Sequence, residues 1–242
     1  MSEGPRDCPV FASWTDELTP IDGLAAATEP EQIERRLRAR VPPSDQVFDQ
    51  YLPRDLRILS PMFWTPLRVA VRAAEWIDEF GIRSVVDVGS GVGKFCVATA
   101  LASRARFVGV EHRERLVVVA RELASVFGCE DRVLFAVGQL PSATVPAADA
   151  YYAYNPFEEN VFRAHERIDS SVELSLARYG RDRAAMQDLL NRAPLGTYLL
   201  TYNGFGAPVP GCYRPVRVAH DLRNELCLYR KTSLLDEGAL RA

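Results

Sequence analysis

Ser84-Val-Val-Asp-Val88 is a β-forming run that leads directly into Gly-Ser-Gly-Val-Gly, with helical sequence following from Lys94 to about Ser103. A buried strand that turns on three glycines into a helix constrains the fold more than any other stretch of this chain. Gly89, Gly91 and Gly93 let the backbone adopt left-handed conformations and approach a ligand where a side chain would collide. The first turn of the helix also offers N–H groups without intrahelical partners. Asp87 lies inside the apolar strand, and a buried carboxylate is costly unless it serves a partner.

The alternation of strand and helix continues downstream. Arg106 to His112 is a second apolar strand that ends on Glu111, and Glu114 to Phe127 is an amphipathic helix. Leu116, Val119, Ala120, Leu123 and Phe127 share one of its faces, and Gly128 is its stop. A third strand, Arg132 to Val137, leads to Gly138-Gln139-Leu140. A fourth run, Ala148 to Phe157, ends in Tyr154-Asn155-Pro156-Phe157. Arg181 to Arg192 is helical, Leu195 to Asn203 is a fifth strand, and Val216–Ala219 and Leu226–Arg230 flank a turn at Asp221–Asn224. Such an order predicts a parallel sheet with one antiparallel strand near its edge. Upstream, Thr65 is the expected N-cap of a helix from Leu67 to Phe80, with Pro66 at its first position. Met62, Phe63 and Trp64 before it would either fold over a ligand or staple the helix. The loop from Gly204 to Cys212 is a connector or a substrate rim, and His165 is a solvated histidine or a base.

The glycine spacing is Asp87-x-Gly-x-Gly-x-Gly93, unlike the dinucleotide fingerprint G-x-G-x-x-G, and Phe95 and Cys96 follow where that fingerprint wants small residues. It resembles motif I of the class I S-adenosylmethionine-dependent methyltransferases, (D/E)-x-G-x-G-x-G. The glycine turn and the Gly-Val-Glu111 strand are also similar to the non-SET histone lysine methyltransferases over that half-domain. The resemblance implies a Rossmann-like α/β fold, a mostly parallel seven-stranded sheet flanked by helices, with S-adenosyl-L-methionine as cofactor. Asp87, Gly89, Ser90, Gly91 and Gly93 would hold its methionine end. Glu111, with His112 beside it, would take the ribose hydroxyls, since a carboxylate accepts both at once. The other reading of Glu111 is a solvated acid opening the next helix.

Gln139 and Leu140 would flank the adenine, although Gln139 also suits an ordinary loop. Thr65 belongs to the segment that covers the cofactor in this family. Asn155, Pro156 and Phe157 stand where amino-methylating members carry (D/N/S)-P-P-(Y/F/W), and they would orient the acceptor, with Asn155 also at the cofactor's edge. One proline of that motif is missing here, and Asn-Pro equally forms a turn at a strand's end. The expected activity is methyl transfer to a nitrogen of a small molecule or protein side chain. The alternatives are a methyltransferase-like module without catalysis and, against the glycine spacing, an NAD(P)-dependent oxidoreductase.

Composition limits the other classes. The 242 residues are 48% apolar, enough for one substantial core. A net charge of −3 without a basic block gives no electrostatic signal for nucleic acid. The five cysteines form no C-x-x-C pair, so reduced thiols and no metal site are expected. Nothing resembles a signal peptide or a membrane-spanning run, and a cytoplasmic location is expected. Among 29 basic residues only Lys94 and Lys231 are lysines, which reads as genome composition. The expected organisation is an N-terminal arm over residues 1–55, partly helical from Pro30 to Arg40 and able to cover a pocket. A catalytic domain over 56–235 and a tail over 236–242 follow.

Overall fold

The computed structural model describes residues 29–140, 145–221 and 224–234. The first 28 residues of the expected arm and the whole expected tail lie outside the described residues. The strands are β1 (Ser84–Val88), β2 (Arg106–Glu111), β3 (Val133–Val137), β4 (Ala150–Ala153), β5 (Tyr198–Tyr202), β6 (Tyr213–Asp221) and β7 (Asn224–Lys231). They form one seven-stranded sheet in the order β3-β2-β1-β4-β5-β7-β6. The pairs from β3 through β5 are parallel, and β7 runs antiparallel to both of its neighbours. The chain winds outward from β1 to β3, then returns to place β4 on the other side of β1. That reversal opens a crevice at the carboxyl ends of β1 and β4, where sheets of this kind bind ligands.

Alternation along each strand sorts side chains to two cores. Val85, Phe107, Phe135 and Tyr152 join the cluster beneath α5 (Leu67–Glu79), α6 (Lys94–Ala102) and α7 (Glu114–Val126). Ile33 and Leu37 of α1 (Pro30–Arg38), Phe48 of α2 (Asp45–Asp49) and Leu56 of α3 (Arg54–Arg57) belong to the same cluster, and Phe63 of α4 (Ser60–Phe63) packs against it. Val86, Val88, Val110, Tyr151 and Leu199 face the other way, under Met186 and Leu190 of α8 (Leu176–Arg192). Every residue of α6 is buried, because sheet, α5 and α1 enclose it; its apolar sequence on all sides follows from that position. No helix among the described residues is long and apolar enough to cross a membrane.

Three local expectations are corrected. Thr65 does not cap α5: its hydroxyl pairs with the Tyr152 hydroxyl at 2.7 Å. The Leu67 N–H instead donates to Asp45 Oδ1 at 2.9 Å, and Pro66 occupies the cap position. The cap comes from 22 residues upstream because the Thr65 side chain is drawn into the core. Helix α8 starts five residues earlier than periodicity predicts, capped by Ser175, whose Oγ accepts from the Arg178 N–H at 3.2 Å. Strand β6 starts at Tyr213 and runs through Pro215, which an edge strand with a register shift tolerates.

Candidate functional site

The glycine turn stands at the crevice with φ of +77°, +52° and +74° at Gly89, Gly91 and Gly93. A Cβ on Gly89 would lie 2.6 Å from Pro156 Cβ, and one on Gly91 would lie 2.4 Å from the Trp64 ring. The turn is therefore gripped by the N-terminal segment on one side and by the segment after β4 on the other. Trp64 is fixed in that grip by its Nε1–H, which donates to the Leu56 carbonyl at 3.2 Å. Asn155 takes a left-handed φ of +39°, and its N–H donates to the Gly204 carbonyl at 3.0 Å. The loop after β5 thereby braces the Asn155-Pro156 corner.

Glu111 ends β2 and is 5% exposed. Its Oε2 accepts from the Gly91 N–H at 3.1 Å and its Oε1 from the Arg113 N–H at 2.9 Å. Burial pushes its pKa up, and those two N–H groups and the Arg113 charge work against the rise. Each carboxylate oxygen keeps a lone pair for a ligand. Asp87 lies below the turn, where burial drives its pKa up to about 7; the charge of Glu111 adds to the rise and the Cys96 thiol opposes it. His112 is held down to about 3, first by burial and then by the charges of Arg113 and Arg178. Its imidazole is neutral across the ordinary pH range.

A pocket of about 440 Å³, open mouth included, lies beside Glu111. Gly89, His112, Gln139, Leu140, Pro156 and Phe157 line it, so those sequence-derived candidates come together. Thr65, Asp87, Ser90, Gly91, Gly93, Glu111 and Asn155 do not line it. The Ser90 hydroxyl is buried without a hydrogen-bond partner among the described residues and is turned toward β2, 2.6 Å from where a Gly109 Cβ would stand. His165 is exposed in a 3-10 turn, Ala164–Glu166, and is not part of the lining.

The pocket's far wall went unread in the sequence. It consists of Glu159, Asn160 and Leu174, with the buried pair Arg178–Asp182 on α8 at 3.2 Å. The i,i+4 spacing of Arg178 and Asp182 was a usable signal for the pair, though not for its burial. Arg113 was also missed. Its guanidinium meets Glu159 through two N–H groups at 2.8 and 2.9 Å, and Asp169 at 3.0 Å.

No protein-family model matches the sequence, and neither does any curated protein. Solved structures do share its architecture. An RNA methyltransferase from Salinibacter ruber, in complex with S-adenosyl-L-homocysteine, is 22% identical with a TM-score of 0.53, over 72% of this chain and 96% of its own. An O-methyltransferase from Bacillus cereus, in complex with SAH, is 12% identical with a TM-score of 0.50, over 84% of this chain and all of its own. The chain has the class I methyltransferase fold. Within that fold the glycine turn, Glu111 and the pocket occupy the carboxyl edge of β1, β2 and β4. The turn supplies backbone where side chains are excluded, Glu111 supplies buried acceptors beside the pocket, and Leu140, Val110 and Phe157 supply apolar walls. This donor and acceptor set fits a nucleoside carried on a flexible chain.

Proposed function

We propose that this protein transfers a methyl group from S-adenosyl-L-methionine to a nitrogen of a small molecule or a protein side chain. The observation that carries the reading is Glu111, a buried carboxylate with one lone pair free on each oxygen, set between a glycine turn and a pocket lined by both polar and apolar side chains. The two neighbouring folds described with S-adenosylhomocysteine support the choice of cofactor. When bound, the cofactor supplies an activated methyl on a sulfonium that departs as a neutral thioether. The remaining work is binding and aim.

Glu111 would accept the two ribose hydroxyls in charge-assisted bonds. Gln139 and Leu140 would flank the base, and ionised Asp87 would face the ammonium of the methionine end. Asn155 and the Pro156 carbonyl would accept the N–H of the acceptor and turn its lone pair toward the methyl. The left-handed Asn155, held by Gly204, supports that role, because strained backbone at a strand end persists where a side chain must be aimed.

Calorimetric titration with S-adenosylmethionine, S-adenosylhomocysteine and NAD(P)H tests the cofactor. Micromolar binding of the first two alone is expected, and Glu111→Gln should weaken it by about 1.5–3 kcal/mol. Binding of NAD(P)H alone, or of none, overturns the proposal. Asn155→Ala should lower the transfer rate more than it weakens cofactor binding; equal losses would move Asn155 from the acceptor to the cofactor.

A further inference from the structure

We infer that Arg113 is the positioning residue of this site: it fixes the tautomer of His112, steadies Glu111, and fastens the pocket's outer wall to that carboxylate. The inference rests on Glu111 being the ribose ligand. Arg113 is 3% exposed and uses its backbone and guanidinium together. Its N–H donates to Glu111 Oε1 at 2.9 Å, and its Nη1 lies 3.1 Å from His112 Nε2. A guanidinium only donates and keeps its protons in proteins. The Nε2 of His112 must therefore offer its lone pair, which places the ring proton on Nδ1. That Nδ1 stands 3.5 Å from Glu111 Oε1, too long for a strong hydrogen bond but near enough for the ring proton to favour the ionised carboxylate and leave its lone pair to a ligand. The charged and titratable groups around the ring are Glu111 on β2, Arg113, Glu159 and Asp169 on the segment after β4, and Arg178 and Asp182 on α8. Burial first, and then the two arginines, keep the imidazole neutral.

The other end of Arg113 organises the wall. Glu159 Oε1, which accepts from Arg113 Nη2, also accepts from the Ile168 N–H at 2.7 Å. Asp169 Oδ1, which accepts from Arg113 Nε, also accepts from the Ser171 N–H at 3.0 Å and its hydroxyl at 2.7 Å. One buried side chain thus anchors both ends of residues 159–171. Glu159 and Asn160 in that stretch face the pocket. A lysine could not replace it, since an ammonium cannot span two carboxylates and a ring nitrogen in one plane.

The first test uses the unaltered, ligand-free protein. Long-range nitrogen–proton NMR should find His112, one of three histidines, as the neutral Nδ1–H tautomer without titration between about pH 5 and 8. An Nε2–H tautomer, or titration near about 6.5, overturns the inference. The second test compares S-adenosylhomocysteine with its 2′-deoxyribose analogue on Arg113→Lys and on Arg113→Met combined with Glu159→Gln and Asp169→Asn, which leaves no stranded carboxylate. The preference for the hydroxylated ligand should fall about tenfold in both, and His112 should regain an ordinary titration in the Met variant. Unchanged preference in folded variants removes the role of Arg113. Failure of the unaltered protein to bind S-adenosylhomocysteine would instead remove the cofactor reading, while the tautomer result stands by itself.

Discussion

Asp87 is 3% exposed beneath the glycine turn, where the Cys96 thiol donates to its Oδ2 at 3.3 Å. Burial raises its pKa from 3.8 to about 7. The unfolded chain releases this proton near 3.8 while the folded chain holds it to about 7. Across that window the folded state binds more protons, so the contribution of Asp87 to stability declines as pH rises and stays low above it. Asp87→Asn should therefore raise the melting temperature of the ligand-free protein at pH 8 and change it little near pH 4. An equal shift at both values would contradict the burial argument. Cofactor binding should run the other way, tightening as pH rises through about 7 in the natural protein and losing that dependence in the variant. A carboxylate whose pKa burial raises this far at the edge of a crevice is a candidate for a functional role.

At the scale of elements, the N-terminal helices act as a wall fastened to the glycine turn by Lys94. That lysine opens α6, and its ammonium meets Asp45 at 2.7 Å, Asp49 at 2.8 Å and Ser60 at 3.1 Å. Asp45 also caps α5, so one cation links α2, the residues before Trp64 and the start of α5. Lys94→Met would strand the buried Asp49 carboxylate and should destabilise by about 3–5 kcal/mol in urea titrations. Lys94→Arg should recover less than half of that, because a planar fork does not fit three acceptors converging on a point. Recovery of full stability by arginine would refute the geometric reason.

Lys231, the second lysine, donates to the Leu190, Asn191 and Ala193 carbonyls at 3.1, 2.6 and 2.7 Å, closing the carboxyl end of α8. The scarcity of lysine reads as genome composition in the sequence. In the fold, both lysines prove to be buried at three-acceptor sites. The acceptors of Lys94 lie 34 to 49 residues upstream, so no local pattern could reveal the reason.

For the whole molecule, the sheet divides into a covered centre and two bare edges. Leu134 on β3 is 65% exposed and Val218 on β6 is 49% exposed, whereas every residue of β4 is buried. Hydrogen exchange should be slowest in β1, β4 and β5 and fastest in β3 and β6; uniform protection across the sheet would argue against this division. Alternating βα periodicity, the glycine run and the acid at the end of β2 made the sheet and its antiparallel strand legible from sequence. Those features are local: period, turn residues and spacing act within one strand and its neighbour. Arg113 with Glu159 and Asp169, Lys94 with Asp45 and Asp49, and Thr65 with Tyr152 were decided only by tertiary structure. Each joins residues far apart in the chain, and a polar side chain reads as surface until folding removes its water and supplies a partner.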